Sequence, residues 1–133
     1  MLNLPAQLAK KILLISAFCL CSTIAWAADQ VQVESVRVSS NPEFTRVVLD
    51  LDKPVHHSLF TLSGPERVVL DVKAAKLLKL PSEEELKRSK SLISFRSAAR
   101  NKSDLRMVLD MSHRVRPKSF MLKPKGKQGH RLV

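Results

Sequence analysis

The stretch that decides the fold reads Arg46-Val47-Val48-Leu49-Asp50-Leu51, and sixty residues later it returns as Arg106-Met107-Val108-Leu109-Asp110-Met111. In both copies an apolar side chain occupies every second position, which is the pattern of a β-strand with one buried face. The repeat continues towards the C-terminus: Val55, Phe60 and Leu62 match Val115, Phe120 and Leu122, and, at a spacing of sixty-four, Arg67-Val68-Val69 matches Arg131-Leu132-Val133. A pattern written twice predicts two structurally similar halves.

Each copy contains four strand patterns that are separated by turn residues. The first copy covers about 31–72 and the second about 92–133. We therefore expect an all-β fold of two antiparallel four-stranded sheets, related by a pseudo-twofold axis and packed face to face in a β-sandwich-like arrangement. The side chains expected between the sheets include Leu49, Leu51, Leu109 and Met111.

The segment between the copies, residues 73–91, does not keep the two-residue alternation of apolar side chains seen in the strands. Ser82 and Glu85 form a capping-box pattern, with acidic residues first and basic residues after them, which predicts one short helix near 83–90. The second copy lacks the end of its last strand, because Val133 corresponds to Val69 and the first copy continues through Leu70-Asp71-Val72. We expect a truncated last strand, an unpaired neighbouring edge and a sequence that belongs to a longer protein.

The first 27 residues have the pattern of a secretory signal peptide. Lys10 and Lys11 precede an apolar run, and Ala25-Trp26-Ala27 supplies the small residues of a cleavage site. A membrane anchor is the alternative, but the run of about fourteen residues is shorter than the roughly 20 that span a bilayer. The expected mature chain, residues 28–133, has no membrane span and no cysteine, so its stability must come from its core.

The charge of the chain favours anionic partners. The formal net charge is +11, and removal of Lys10 and Lys11 with the signal peptide leaves +9 (11 − 2) on residues 28–133. A membrane surface, a nucleic acid or a cell-wall polymer would each suit such a domain. The mature segment has no Trp or Tyr, which argues against a nucleic acid bound by base stacking.

Residues that could carry catalysis or bind a cofactor are few. His56 and His57 are neighbours on a strand pattern, so they point to opposite faces, and His113 and His130 lie near turns. The sequence contains no His-x-Glu pair, no cysteine after the signal peptide and no glycine-rich phosphate loop. We predict no catalytic residue, no metal site and no cofactor in residues 28–133.

The stretches around Arg46 and Arg106, together with Phe60-Thr61-Leu62-Ser63-Gly64-Pro65-Glu66-Arg67-Val68-Val69-Leu70-Asp71, resemble the AMIN domain. The likeness covers roughly residues 31–133, which places an AMIN domain at 28–133, and it is strongest to the AMIN domain of periplasmic N-acetylmuramoyl-L-alanine amidases. It implies a symmetric two-sheet fold, a periplasmic location, peptidoglycan binding and targeting to the division septum, where divisome proteins are further partners. It also implies a separate zinc-dependent catalytic domain that cleaves the amide between N-acetylmuramic acid and L-alanine. The alternative is a protein-interaction module of a type IV pilus secretin, because AMIN domains occur there too.

Six arginines at equivalent positions of the two copies are the candidate peptidoglycan-binding residues: Arg37, Arg46, Arg67, Arg96, Arg106 and Arg131. One interpretation is structural, with these side chains paired to Asp50, Asp71 and Asp110 on the outer faces of the sheets. The other is a basic face that holds the carboxylates of peptidoglycan stem peptides. For Phe60 and Phe120 the expectation is core packing.

Overall fold

The computed structural model describes residues 29–133, so the predicted signal peptide, residues 1–27, lies outside the described part. Its elements in chain order are β1 (Val31–Ser40), β2 (Thr45–Leu51), β3 (His57–Leu62), β4 (Arg67–Val72), β5 (Ala75–Leu77), α1 (Glu83–Arg88), β6 (Leu92–Arg100), β7 (Asp104–Met111), β8 (Met121–Leu122) and β9 (His130–Leu132). The predicted all-β class and the two sheets are confirmed. Within residues 29–133 no helix is long and apolar enough to cross a membrane.

Each sheet is assembled from strands of both sequence copies. One has the order β5-β1-β2-β9-β8, and the other has the order β3-β4-β7-β6. The first two strands of either copy therefore pair with the last two strands of the other copy. Equivalent strands meet in the same register, since Arg131 faces Asp50 just as Arg67 faces Asp110. This exchange makes the two copies one folding unit, because neither copy closes a sheet alone.

The short strand β5 makes one of the sheets five-stranded, where four strands were predicted. It runs parallel to β1, with Val31 opposite Ala75 and Val33 opposite Leu77. The turn before it places Ala74 at a φ of 46°, and the Ala74 carbonyl accepts a hydrogen bond from the Val31 amide at 2.7 Å. The sequence alone does not reveal β5, because three residues are too few to show a two-residue period.

The core lies between the inner faces of the two sheets. The side chains most completely removed from solvent come from both sheets and both copies: Val33, Leu49, Leu51, Val72, Met107 and Leu132. The four side chains that the sequence placed between the sheets are all buried there. The alternation of the repeat therefore separates an inner apolar face from an outer face, which carries the charged residues.

The helix between the copies begins as predicted and ends earlier. Ser82 and Glu85 form the complete capping box, in which each side chain accepts a hydrogen bond from the backbone N–H of the other residue. The helix covers Glu83–Arg88 rather than the predicted 83–90. Ser89 ends it by adopting an extended conformation, and its hydroxyl accepts hydrogen bonds from the backbone N–H groups of Ser91 and Leu92.

The two central strand pairs differ in length. Strand β4 pairs with β7 along six residues, from Arg67 to Val72. Its counterpart β9 pairs with β2 along only three, from His130 to Leu132. In the part of the chain that the structure describes, residues 45–48 of β2 are therefore paired with β1 on one side only.

Candidate functional site

The structure divides the six candidate arginines between two outer faces. Arg37, Arg46 and Arg131 lie on the outer face of the five-stranded sheet, on β1, β2 and β9. Arg67, Arg96 and Arg106 lie on the outer face of the four-stranded sheet, on β4, β6 and β7. The pseudo-twofold relates one group to the other, so the predicted single set is two sets of three.

On the five-stranded sheet, Asp50 is held by two side chains of the neighbouring strand. Arg37 donates two hydrogen bonds to its carboxylate at 2.7 and 2.9 Å, and the Ser35 hydroxyl donates a third at 2.7 Å. The bonds from Arg37 lower the pKa of Asp50, while the carboxylate raises the pKa of Arg37. The second copy repeats this arrangement with Ser94, Arg96 and Asp110. The predicted ion pairs to a neighbouring strand are confirmed at both aspartates.

Asp71 is the most buried carboxylate of the two faces, with 6 % of its surface exposed. Arg106 donates two hydrogen bonds to it at 2.7 and 2.8 Å, and Arg100 of β6 donates a third. The bonds from Arg106 are the main cause of the lowered pKa of Asp71. The Arg106 guanidinium also lies over the Phe60 ring, 5.7 Å from its centroid. Arg106 thus has a structural role on the four-stranded sheet.

The remaining three arginines have no close carboxylate partner among residues 29–133. Arg46 lies over the Phe44 ring at 5.3 Å from its centroid. Arg67 donates from Nε to the Pro65 carbonyl at 3.1 Å, whereas the Nε of Arg131 is buried without a hydrogen-bond partner. The cause of this difference is the turn before each arginine, which is longer by four residues in the second copy. Among residues 29–133, Arg46 and Arg131 of the five-stranded sheet are therefore without an ion pair within 4 Å, although Arg131 lies opposite Asp50 and helps to lower the pKa of that carboxylate.

A shallow cavity of about 310 Å³ brings Arg46 and Arg131 together with Arg37. We call it the basic cleft, and it is lined by Arg37, Ser39, Arg46, Val48, Phe120, Leu122, Gln128, Arg131 and Val133. Four of its lining residues are apolar, namely Val48, Phe120, Leu122 and Val133. Its cations are planar guanidinium groups, which bind carboxylates through paired hydrogen bonds. The arrangement suits an extended anionic chain with both apolar and carboxylate groups.

A long basic segment adjoins the cleft. From Ser112 to Val133 the sequence has no acidic residue, and its cations are Arg114, Arg116, Lys118, Lys123, Lys125, Lys127 and Arg131. Among the described ion pairs, this segment makes only the 3.9 Å contact between Arg114 and Glu66. Because β8 and β9 belong to the five-stranded sheet, the positive field of the segment is concentrated on that side of the molecule.

The predicted core packing of Phe60 and Phe120 is wrong. Their exposed fractions are 37 % and 51 %. In β3, Leu59 points inwards, because it lies opposite the buried Leu70. Side chains alternate along a strand, so Phe60 points outwards, opposite Val69. The two-residue alternation of side chains, started from Leu59, predicts the outward orientation of Phe60. The outer faces consequently carry aromatic rings next to arginines, which composition alone did not show.

The described residues do not fit the zinc that the resemblance implies. No group of three or more His, Cys, Asp or Glu side chains converges anywhere in 29–133. His57 contacts the Ser119 hydroxyl through Nε2 at 2.9 Å, and burial lowers its pKa. Its neighbour His56 precedes β3. Residues 29–133 thus contain no group of three such side chains that could bind the metal.

Three carboxylates on the outer faces make the stability of the fold depend on pH in the acidic range. The folded pKa values of Asp50, Asp71 and Asp110 are all lowered, below the unfolded value of about 3.9. Their contribution to stability is therefore complete above about pH 4 and is lost as the pH falls through the folded values. We expect the urea midpoint to change little between pH 7 and pH 5 and to fall steeply below pH 4. An unchanged midpoint at pH 3 would contradict this assignment of the ion pairs.

Comparison with known proteins agrees with this architecture. The model of the AMIN domain family matches residues 35–133. The chain is also 31 % identical over 105 residues to N-acetylmuramoyl-L-alanine amidase AmiC of Escherichia coli O6:H1, an alignment that covers 77 % of this chain and 25 % of that protein. The chain thus spans about a quarter of the length of the curated relative it matches. With its doubled, strand-exchanged sheets and a match over most of its length, the chain belongs to the AMIN domain family, and it is similar to the AMIN domain of an amidase.

Proposed function

We propose that this chain is the non-catalytic, peptidoglycan-binding and septum-targeting domain of a periplasmic cell-wall amidase that acts in daughter-cell separation. The observation that carries the proposal is the basic cleft, where Arg131 keeps a buried Nε without an acceptor beside the basic segment. A buried N–H group without an acceptor is costly, and the half-buried Arg131 guanidinium offers an incoming carboxylate a charge-assisted hydrogen bond. Peptidoglycan stem peptides supply carboxylates on short, partly apolar chains.

The proposed separation of wall binding from catalysis rests on the chemistry of the described residues. Asp50, Asp71 and Asp110 are engaged by arginines and serines, so these carboxylates are unsuited to proton transfer at neutral pH. In the proposed parent enzyme, hydrolysis of the amide between N-acetylmuramic acid and L-alanine belongs to a separate zinc-dependent domain. The present chain would raise the concentration of that domain at the wall.

Co-sedimentation with purified sacculi tests the binding. We expect the protein to pellet with sacculi at low ionic strength and to be released progressively as salt rises to about 0.5 M, because salt screens exposed charges. A basic protein of similar size and net charge, such as a lysine-rich control, should be released at lower salt. Failure to pellet at physiological ionic strength would contradict peptidoglycan binding and favour a protein partner in the divisome or a secretin.

The targeting part of the proposal needs a separate experiment. A fluorescent protein that folds in the periplasm, fused to the C-terminus of the chain, is expected to accumulate at the septum of dividing cells. A uniform peripheral signal, from a fusion that still binds sacculi in vitro, would refute septal targeting while leaving peptidoglycan binding intact.

A further inference from the structure

The edges of the two sheets differ in how well they are protected against pairing with another strand. Within residues 29–133 the outermost strands are β5 and β8 of one sheet and β3 and β6 of the other. Proteins commonly protect such edges by short strands, charged side chains or bulges. Strands β5 and β8 have only three and two residues. Strand β6 carries Arg96 and Arg100 and has a register shift between Leu92 and Ser94.

Strand β3 has none of these protections. It runs for six residues, from His57 to Leu62, and pairs with β4 in an unbroken register. It contains no Lys, Arg, Asp or Glu, and this uncharged stretch of sequence extends over residues 54–65. The outward-pointing Phe60 and Leu62 are both exposed. A long, uncharged and regular edge is a site where another strand pairs readily.

The backbone groups on the open side of β3 belong to alternate residues. The Lys73 amide donates a hydrogen bond of 2.9 Å to the carbonyl of His56, directly before β3. In an antiparallel ladder, pairs that exchange hydrogen bonds alternate with pairs that do not. The N–H and C=O groups of His57, Leu59 and Thr61 therefore point away from β4, towards the open edge.

These three residues are complementary to a second copy of β3 that runs antiparallel to the first. When Leu59 lies on the twofold axis, it pairs with its own equivalent, and His57 pairs with Thr61 of the second copy in both directions. Each of these pairs can exchange two main-chain hydrogen bonds. On the outer face, Phe60 then lies opposite the small Ser58 of the second copy. Registers shifted to either side bring in residues outside β3 and keep fewer such pairs.

We propose that β3 is a dimerisation edge, at which two copies of this chain join their four-stranded sheets into one continuous sheet about a twofold axis at Leu59. An uncharged strand offers no ion pair to a charged partner, whereas β3 matches its own hydrogen-bonding pattern and side-chain sizes. Because the twofold contact occupies the edge of both copies, assembly through β3 stops at a dimer. The dimer is independent of the basic cleft, since β3 belongs to the other sheet.

The charge of the protein gives this dimer a distinctive dependence on salt. Each copy is strongly basic, and Arg116 and Lys118 line the groove that also includes Leu59. Like charges on the two copies therefore oppose association, and salt screens them. We expect the dissociation constant of the dimer to fall by roughly threefold or more as salt rises from about 0.05 to 0.5 M. Binding to sacculi is expected to change in the opposite direction.

Sedimentation equilibrium and hydrogen exchange of residues 28–133, which contain all the strands of both sheets, test the proposal. The first measures the dissociation constant and its change with salt. In the second, the amides of His57, Leu59 and Thr61 should become protected as the protein concentration rises. The amides of Ser58 and Phe60 already face β4 and should change little.

Thr61→Pro is expected to raise the dissociation constant by roughly tenfold or more, because it removes an N–H group that the second copy needs. The fold should be retained, since this N–H group points away from β4 and an edge strand tolerates proline at such a position. Thr61→Val keeps the N–H group and should dimerise like the wild type. Thr61→Lys places a charge at the same exposed position, and Gln32→Lys on β1 is its charge-matched control.

Three results would overturn the proposal. The first is a protein that remains monomeric up to about 1 mM in 0.5 M salt. The second is equal dissociation constants for Thr61→Pro and Thr61→Val, together with equal constants for Thr61→Lys and Gln32→Lys. The third is a dimer in which the amides of His57, Leu59 and Thr61 exchange as fast as in the monomer. Loss of sacculus binding, by contrast, contradicts the proposed function and leaves the β3 dimer standing.

Discussion

Asp71→Asn is expected to lower the free energy of unfolding by about 3 kcal/mol, the low end of the range for breaking a buried ion pair. The asparagine keeps the shape of the side chain but removes the charge that Arg100 and Arg106 share. The new amide group also turns an N–H donor towards guanidinium groups, which have only donors. Asp71 itself is buried, whereas both arginines remain partly exposed to water, and this partial exposure keeps the expected loss from being larger.

The repeat supplies matched controls for this substitution. Asp50→Asn and Asp110→Asn each remove a carboxylate that is held by one arginine and one serine at a more exposed position. We expect each to cost about 1 kcal/mol, the upper end of the range for solvent-exposed ion pairs. Glu34→Gln, at an exposed position of β1, should change stability by no more than a few tenths of a kcal/mol.

Urea unfolding, followed by circular dichroism at pH 7, measures these differences. For a domain of about 100 residues, a loss of 3 kcal/mol corresponds to a fall in Tm of roughly 15 °C. The loss for Asp71→Asn should also shrink as the pH falls through the lowered folded pKa of Asp71, because the wild-type carboxylate then becomes protonated as well. A ranking in which Asp71→Asn costs no more than Asp110→Asn would refute the central role of Asp71.

The sequence was sufficient to predict the strands of the repeat, though not β5, and it did not show which strands pair. Alternation around Leu49 and Leu109 identifies strands and their buried faces, because that information is local. The exchange of strands between the copies is a long-range choice. It depends on which edges meet when both halves collapse together, and a period of sixty residues is equally compatible with two self-contained halves. The order β3-β4-β7-β6 therefore had to come from the structure.

At the candidate site, the sequence likewise does not show the surroundings of single side chains. Arg46 and Arg106 are equivalent in the sequence, and so are Arg67 and Arg131. Their environments differ because Arg106 lies opposite Asp71 of β4, while on the β9 side of Arg46 no residue of the described range pairs with it. A longer turn likewise removes from Arg131 the carbonyl that Arg67 uses. Which arginine is free for a ligand is therefore a property of its neighbours, and the repeat alone cannot show it.

Arg131→Gln combined with Lys127→Gln is expected to weaken binding to sacculi by roughly tenfold, equivalent to about 1.4 kcal/mol. Arg131 lines the basic cleft, and Lys127 lies in the turn between β8 and β9 that leads to it. The double change removes two positive charges from the proposed binding surface. It leaves the ion pairs of Asp50 and Asp71 in place, so the fold should be retained.

The matched control removes two positive charges from outside the basic cleft. Arg67→Gln with Lys87→Gln gives the same net charge, since Arg67 is the counterpart of Arg131 and Lys87 is an exposed residue of α1. If the cleft binds the wall, the control should lose less than about twofold in affinity, and Arg131→Lys should lie between the two because it keeps the charge without the planar fork. Equal losses in both double variants would instead mean that net charge alone attracts the protein to the wall. That result would refute the basic cleft as a site, because a general positive field does not distinguish Arg131 from Arg67.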